Sequence, residues 1–184
     1  SIVALPDASY KFTLVGSDIG VQEKDSRSLH RIQAAMPPLA GIIHGAGVLD
    51  DGIVMQLDWQ RFETVMEPKT AGAWNLHQMT STMDLDFFVC FSSASALFGT
   101  MGQASYAAAN EFLRALAGYR HDQGLPALSI DWGPWSQVGM AAQLDERDQQ
   151  RARGQGWQGI DPPTGGAILE SLLKRGRPVT AVLP

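Results

Sequence analysis

The chain has 184 residues, enough for one domain with a real core and too few for two comfortable ones. Apolar residues make up 45% and charged residues 18%, ordinary for a globular domain, and the net charge of −5 comes without a basic block, which argues against a nucleic-acid surface. One cysteine, Cys90, excludes an intramolecular disulfide, and no apolar run reaches the roughly 20 residues a membrane helix needs. A soluble cytoplasmic protein is expected.

In chain order, residues 12–15 read as a strand ending at Gly16-Ser17-Asp18. Residues 22–36 carry apolar side chains at helical spacing until Pro37-Pro38 stops them. A second strand at 39–44 runs into Gly45-Ala46-Gly47. Residues 59–66 and 69–80 read as helix, broken or kinked near Pro68, which has no amide hydrogen, and Lys69 is expected to open the second piece. Residues 86–92 form an apolar run with little alternation, as in a strand buried on both faces. A long helix at 103–123 ends at Gly124, a strand at 127–132 precedes Trp132-Gly133-Pro134-Trp135, and a polar helix is expected at 143–153. A helix at 163–174 and a strand at 179–183 close the chain. Repeated strand-then-helix units predict an α/β fold, a parallel sheet with helices on both faces. In such sheets ligands bind beyond the carboxyl ends of the strands, where Ser17-Asp18, Gly45-Ala46-Gly47, Ser92-Ser93 and Trp132-Gly133 all fall.

Four polar residues suggest one chemistry. Tyr106 and Asn110, about one turn apart, project from the same helix face, with only Ala107, Ala108 and Ala109 between them. A phenol with an ordinary pKa of about 10 is a weak acid near neutrality, and a nearby ammonium such as that of Lys69 is expected to lower it. Ser93, at the end of an apolar strand, can hold a carbonyl oxygen, and Asn110 can donate and accept at once. Each residue also has an ordinary explanation: a half-buried tyrosine, a strand-closing serine, a solvated lysine. By the same token Asp50-Asp51-Gly52 reads as a turn, His44 as a strand-end histidine, and Trp132 with Trp135 as core. His30, His77 and His121 lack metal-ligand spacing, so no metal is expected.

Lys69, Ser93, Tyr106 and Asn110 lie 24, 13 and 4 residues apart. With His44-Gly45-Ala46-Gly47, Pro68-Lys69-Thr70, Phe91-Ser92-Ser93 and Asp131-Trp132-Gly133-Pro134-Trp135, this order resembles the ketoreductase domains of modular polyketide synthases, relatives of the short-chain dehydrogenases/reductases. Simple members of that superfamily place lysine four residues after the tyrosine. The synthase domains place asparagine there and bring lysine from an earlier helix, as this chain does.

The resemblance implies a Rossmann-like fold over residues 1–184 and reduction of a β-ketoacyl thioester on the phosphopantetheine of an acyl carrier protein, with NADPH as cofactor and neighbouring synthase domains as partners. Tyr106 is implied as proton donor, Ser93 as carbonyl-oxygen ligand, and Lys69 and Asn110 as their support. Asp18 and Ile19 are implied at the adenine, His44, Gly45, Ala46 and Gly47 beside the cofactor, and Trp132 and Gly133 flanking the nicotinamide. Leu49-Asp50-Asp51 resembles the B-type motif that gives a D-3-hydroxyacyl product, and Phe98 stands where A-type domains have tryptophan. Met101 and Ser105 depart from the B-type proline and asparagine. Met140 is implied at the substrate, and residues 141–160 as a lid.

A fold of this kind opens with a strand, a glycine-rich turn and a helix that holds the pyrophosphate. Residues 1–12 do not carry that unit. It is expected upstream of Ser1 in a longer synthase. The alternative is a reduction-incompetent module retained as scaffold; a free-standing reductase is disfavoured by the lysine arrangement.

Overall fold

The computed structural model describes residues 22–35, 37–136, 138 and 159–184. Within them the chain alternates as expected: α1 (Gln22–Ala35), β1 (Gly41–His44), a 3₁₀ turn (Val54–Gln56), α2 (Trp59–Thr80), β2 (Phe87–Ser93), a short α3 (Ser95–Phe98), α4 (Ala104–Asp122), β3 (Leu128–Trp132), α5 (Pro162–Leu173) and β4 (Val179–Val182). The expected strand at 12–15 and the polar helix at 143–153 lie outside the described residues, as do Asp18, Ile19, Met140 and residues 141–158 of the implied lid.

The four strands pair in parallel in the order β1-β2-β3-β4. Register places His44 beside Cys90, Ser92 beside Asp131, and Ser93 beside Trp132, so His44, Ser92, Ser93, Asp131 and Trp132 fall at the carboxyl ends of their strands. Alternation along the strands then sorts residues onto two faces. Phe88 and Cys90 of β2 pack against Ala73 of α2 and Leu113 and Leu116 of α4. Val89, Leu128, Ile130 and Trp132 turn the other way, toward Ile168, Leu169 and Leu172 of α5. Each fully buried aliphatic or aromatic side chain in these layers contributes about 1.5–3 kcal/mol relative to exposure.

Strand order advances one step each time in one direction, yet α5 covers the face opposite α2 and α4. The last crossover therefore has the opposite hand to the first two. Right-handedness is the strong rule for compact β-α-β units. Here β3 is separated from α5 by a long stretch, and the chain re-enters the described structure beside itself, with Ser136 N donating to Ile160 O at 2.9 Å and Ile160 N to Pro134 O at 2.8 Å.

Helix ends follow their capping residues. Asp58 accepts from the Arg61 amide at 2.9 Å to open α2, and Asp161 accepts from the Thr164 amide at 3.0 Å to open α5, with Pro162 in the first turn. Gly124 closes α4 with φ +72°, a conformation costly for other residues, while Leu125 N donates to Arg120 O at 3.0 Å.

One expectation is corrected. The helix does not break at Pro68; α2 is continuous from Trp59 to Thr80, and Lys69 sits mid-helix rather than at its start. An interior proline costs the helix one amide donor and crowds the carbonyl four residues back, and burial of Val65, Lys69, Gly72 and Ala73 along one side holds this helix through it. The short α3 and the 3₁₀ turn were not anticipated, because neither is long enough to show a period.

Candidate active site

The sheet and two helices bring the four expected residues together. Lys69 reaches from α2 across the carboxyl end of β2, where its Nζ donates to Phe91 O at 3.0 Å. Its side chain is 2% exposed, and the ammonium lies 5.6 Å from the centroid of the Tyr106 ring. Burial lowers the Lys69 pKa to about 8. Gly47 explains how so long a side chain fits. A β-carbon there would stand 2.9 Å from Lys69 Cε and 3.4 Å from Nζ, so the turn after β1 leaves the channel through which the lysine passes.

Tyr106 lies in the first turns of α4. Its phenol pKa is raised, chiefly by burial and further by the Asp51 carboxylate, while the Asn110 and Ser93 side chains pull it partly back. The lowering expected from Lys69 does not prevail. The ammonium faces the ring and spends one donor on Phe91 O, so burial wins and the phenol holds its proton through the neutral range. Ser93 ends β2, and its Oγ accepts from Ser95 N at 3.2 Å in the turn into α3. Asn110, 0% exposed, donates from Nδ2 to the carbonyl of Tyr106 at 2.8 Å, and its own carbonyl accepts from Ser92 Oγ at 3.2 Å. That back-bond reconciles a poor helix former with mid-helix and fixes the turn carrying the phenol. Asn110 Oδ1 is left without a partner in a buried site.

His44 is buried at the end of β1 with both ring nitrogens unpartnered, and burial, aided by the Lys69 charge, lowers its pKa to about 4. Trp132 is core on the α5 side, with Phe91 and Trp135 against its ring at 5.6 and 4.8 Å between centroids. Gly133 N donates to Val182 O at 2.8 Å. Phe98 and Met101 stand exposed on the rim, Met101 at 96%. Asp50 and Asp51 are engaged by two residues that sequence reasoning missed, Arg61 and Gln103. An acidic doublet calls for cationic or amide partners, but a contact across eleven residues of loop and helix carries no periodic signal. Among the described residues, no group of three or more His, Cys, Asp or Glu is placed to hold a metal ion.

The donor set, an acid phenol, a serine hydroxyl beside it and a buried ammonium, can stabilise an alkoxide forming at one carbonyl oxygen. The edge also suits a flat cofactor. The space around Gly45 is open, with the nearest atom to a β-carbon there 4.0 Å away at Phe91 Cδ2, and the unpaired Asn110 Oδ1 awaits a polar partner.

The family model described as the KR domain matches residues 1–137. The chain belongs to this ketoreductase family of the polyketide synthases. The domain is 46% identical over 158 residues, 84% of its length, to "Polyketide synthase GfsE" of Streptomyces halstedii, and 38% identical over 176 residues, 95% of its length, to "Phenolphthiocerol synthesis polyketide synthase type I Pks15/1" of Mycobacterium marinum. It spans only 4% and 8% of those two proteins, which are far longer. Its fold matches the "Structure of A-type Ketoreductases from Modular Polyketide Synthase" with a TM-score of 0.84 at 36% identity, over 93% of this chain and 36% of that one. The ketoreductase is thus a member of an oxidoreductase family built on a parallel α/β sheet, and no described helix is long and apolar enough to cross a membrane.

Proposed function

We propose that the domain reduces the β-carbonyl of a β-ketoacyl thioester, carried by the phosphopantetheine of an acyl carrier protein within a multidomain cytoplasmic synthase, to the D-3-hydroxyacyl product. The convergence of Lys69, Ser93, Tyr106 and Asn110 at the carboxyl edge of the sheet supports this reading. NADPH would supply the hydride, bound along the turn of His44, Gly45, Ala46 and Gly47 and beside Trp132 and Gly133, with Asp18 and Ile19 at the adenine.

Ser93 holds the ketone oxygen by a hydrogen bond from its hydroxyl, and Tyr106 delivers a proton to that oxygen as negative charge develops. The raised pKa of Tyr106 keeps the phenol protonated before the step. Lys69 then stabilises the phenolate left behind, at a distance where a low local dielectric makes its charge effective. Asn110 anchors the Tyr106 turn through its carbonyl and offers Oδ1 to the protons that replenish the phenol. In this reading Leu49, Asp50, Asp51, Phe98 and Met101 border the acyl chain; Met140 and residues 141–158 of the expected lid lie outside the described residues.

In the full-length protein, Tyr106→Phe is expected to lower reduction of a β-ketoacyl thioester by about a hundredfold or more while cofactor affinity stays nearly unchanged, since the phenol acts in the transition state. Wild-type turnover in that variant refutes the role of Tyr106. Cofactor binding with no turnover by the unaltered protein favours the scaffold alternative. An L-hydroxy product overturns the configuration.

A further inference from the structure

The loop that follows β1 bridges the two helices of the site. Asp50 is gripped by α2: Arg61 Nε donates to its Oδ2 at 2.9 Å, and Arg61 Nη2 pairs with its Oδ1. The same Nη2 donates to the carbonyl of Asp51 at 2.8 Å, and Nη1 to Gln56 O at 3.3 Å. Asp51 is gripped by the approach to α4: Gln103 Nε2 donates to its Oδ2 at 2.9 Å, and the next amide, Gly52 N, donates to Gly102 O at 2.8 Å. Arg61 fits so closely that a β-carbon on Gly52 would meet its Nη1 at 3.1 Å. The helix of Lys69 and the helix of Tyr106 are therefore cross-tied by three consecutive loop residues, Asp50, Asp51 and Gly52, and their partners Gly102 and Gln103 immediately precede the first turn of α4, which carries Tyr106.

A ketone whose oxygen is fixed between Ser93 and Tyr106 can still turn about its C=O axis and present either face. Two donors to one oxygen set a point and a direction, not a face. Discrimination needs a wall on one side that does not yield. The planar fork of an arginine, binding a carboxylate through two nitrogens and a backbone carbonyl at once, makes such a wall rigid where a lysine could not.

We propose that Arg61 is a positioning residue for carbonyl-face selection: by holding Asp50 and the Asp51 carbonyl it fixes the 49–52 loop as the wall beside Tyr106 and thereby sets the configuration of the alcohol. This rests on the reductase reading above. Arg61 touches neither substrate nor cofactor; it acts through the loop.

The test is product stereochemistry in the full-length synthase, measured by chiral chromatography of the 3-hydroxyacyl product from one β-ketoacyl thioester. Arg61→Leu is expected to retain turnover within about tenfold while the share of the minor stereoisomer rises by about tenfold. Arg61→Lys, which keeps the charge but not the fork, is expected to fall between wild type and Arg61→Leu. A merely structural role would reduce the amount of active protein and leave the ratio alone, so an unchanged ratio in a turning-over Arg61→Leu overturns the proposal. Should Arg61→Leu fail to fold, the ratio in Arg61→Lys decides in the same way. Absence of ketone reduction by the unaltered protein overturns the reductase reading and the role of the loop together, and is distinguished by the loss of all product rather than of selectivity.

Discussion

At the scale of single residues, the site is organised around one long side chain crossing a turn. Lys69 is useful near Tyr106 only because Gly47 leaves its path open; the missing β-carbon would lie 2.9 Å from Lys69 Cε. The lysine tip is flexible enough to move aside, so Gly47→Ala is expected to cost little stability and to displace the ammonium from Phe91 O and the Tyr106 ring. The consequence belongs to the chemical step. In the full-length protein kcat should fall by about tenfold or more, with cofactor affinity changing much less. Steady-state kinetics beside a cofactor titration separates the two, and a kcat equal to wild type would show that Lys69 does not depend on this glycine. Asn110 illustrates the same economy. Its side chain satisfies the Tyr106 carbonyl, four residues back, so the tyrosine turn is braced from within the buried site.

At the scale of elements, α4 carries Tyr106, the proposed acid, at one end and is anchored at the other by Arg120. This guanidinium is fully buried, 3.9 Å above the Phe88 ring, donating from Nε to Pro126 O at 3.0 Å and lying 3.0 Å from His77 Nδ1 of α2. One residue thus joins α2, α4, β2 and the connection into β3. Arg120→Met keeps much of the volume but leaves the Pro126 carbonyl and the His77 nitrogen unpaired, a loss of about 2–4 kcal/mol. Hydrogen exchange of the amides in the last turn of α4 is expected to accelerate by about thirtyfold or more; unchanged protection would show that the anchor is dispensable. None of this was legible in the sequence. The described strands and long helices were, because short apolar runs and an apolar period of 3.6 residues reflect what is buried, and the β2 run was apolar throughout because it is covered on both sides. The continuity of α2 through Pro68 was not, because tertiary burial overrides a local preference. Lys69, Ser93, Tyr106 and Asn110 could be singled out by type and spacing, yet the partners that orient them, Phe91 O, Gly47 and the Arg61 fork, are contacts between elements and leave no local trace.

At the scale of the whole molecule, the site imposes a dependence of stability on pH. Two buried bases lie side by side at the carboxyl edge: His44, with its pKa lowered to about 4, and Lys69, with its pKa lowered to about 8. In both the unfolded chain binds the proton more tightly, at ordinary values of 6.5 and 10.5. Stability therefore rises with pH wherever the unfolded state is protonated and the folded state is not, which is about pH 4 to 6.5 for His44 and about pH 8 to 10.5 for Lys69. Each shift corresponds to about 3 kcal/mol across its window. Near neutrality His44 is already neutral, while Lys69 keeps most of its charge and the destabilisation that goes with it. The fold thus tolerates a buried ammonium in the pH range where the proposed proton transfer would leave a phenolate beside it. Denaturation of the full-length protein, followed by exchange at β1 and β2, is expected to show stability climbing through both windows. His44→Asn should flatten the acid window alone, since no titrating ring remains, and Lys69→Met the alkaline window alone. Equal slopes in wild type and His44→Asn between pH 4 and 6.5 would mean that the imidazole finds a partner for its proton in the folded state. Equal slopes in wild type and Lys69→Met above pH 8 would mean that the ammonium is solvated after all, and Tyr106 would then lack the desolvated charge its phenolate requires.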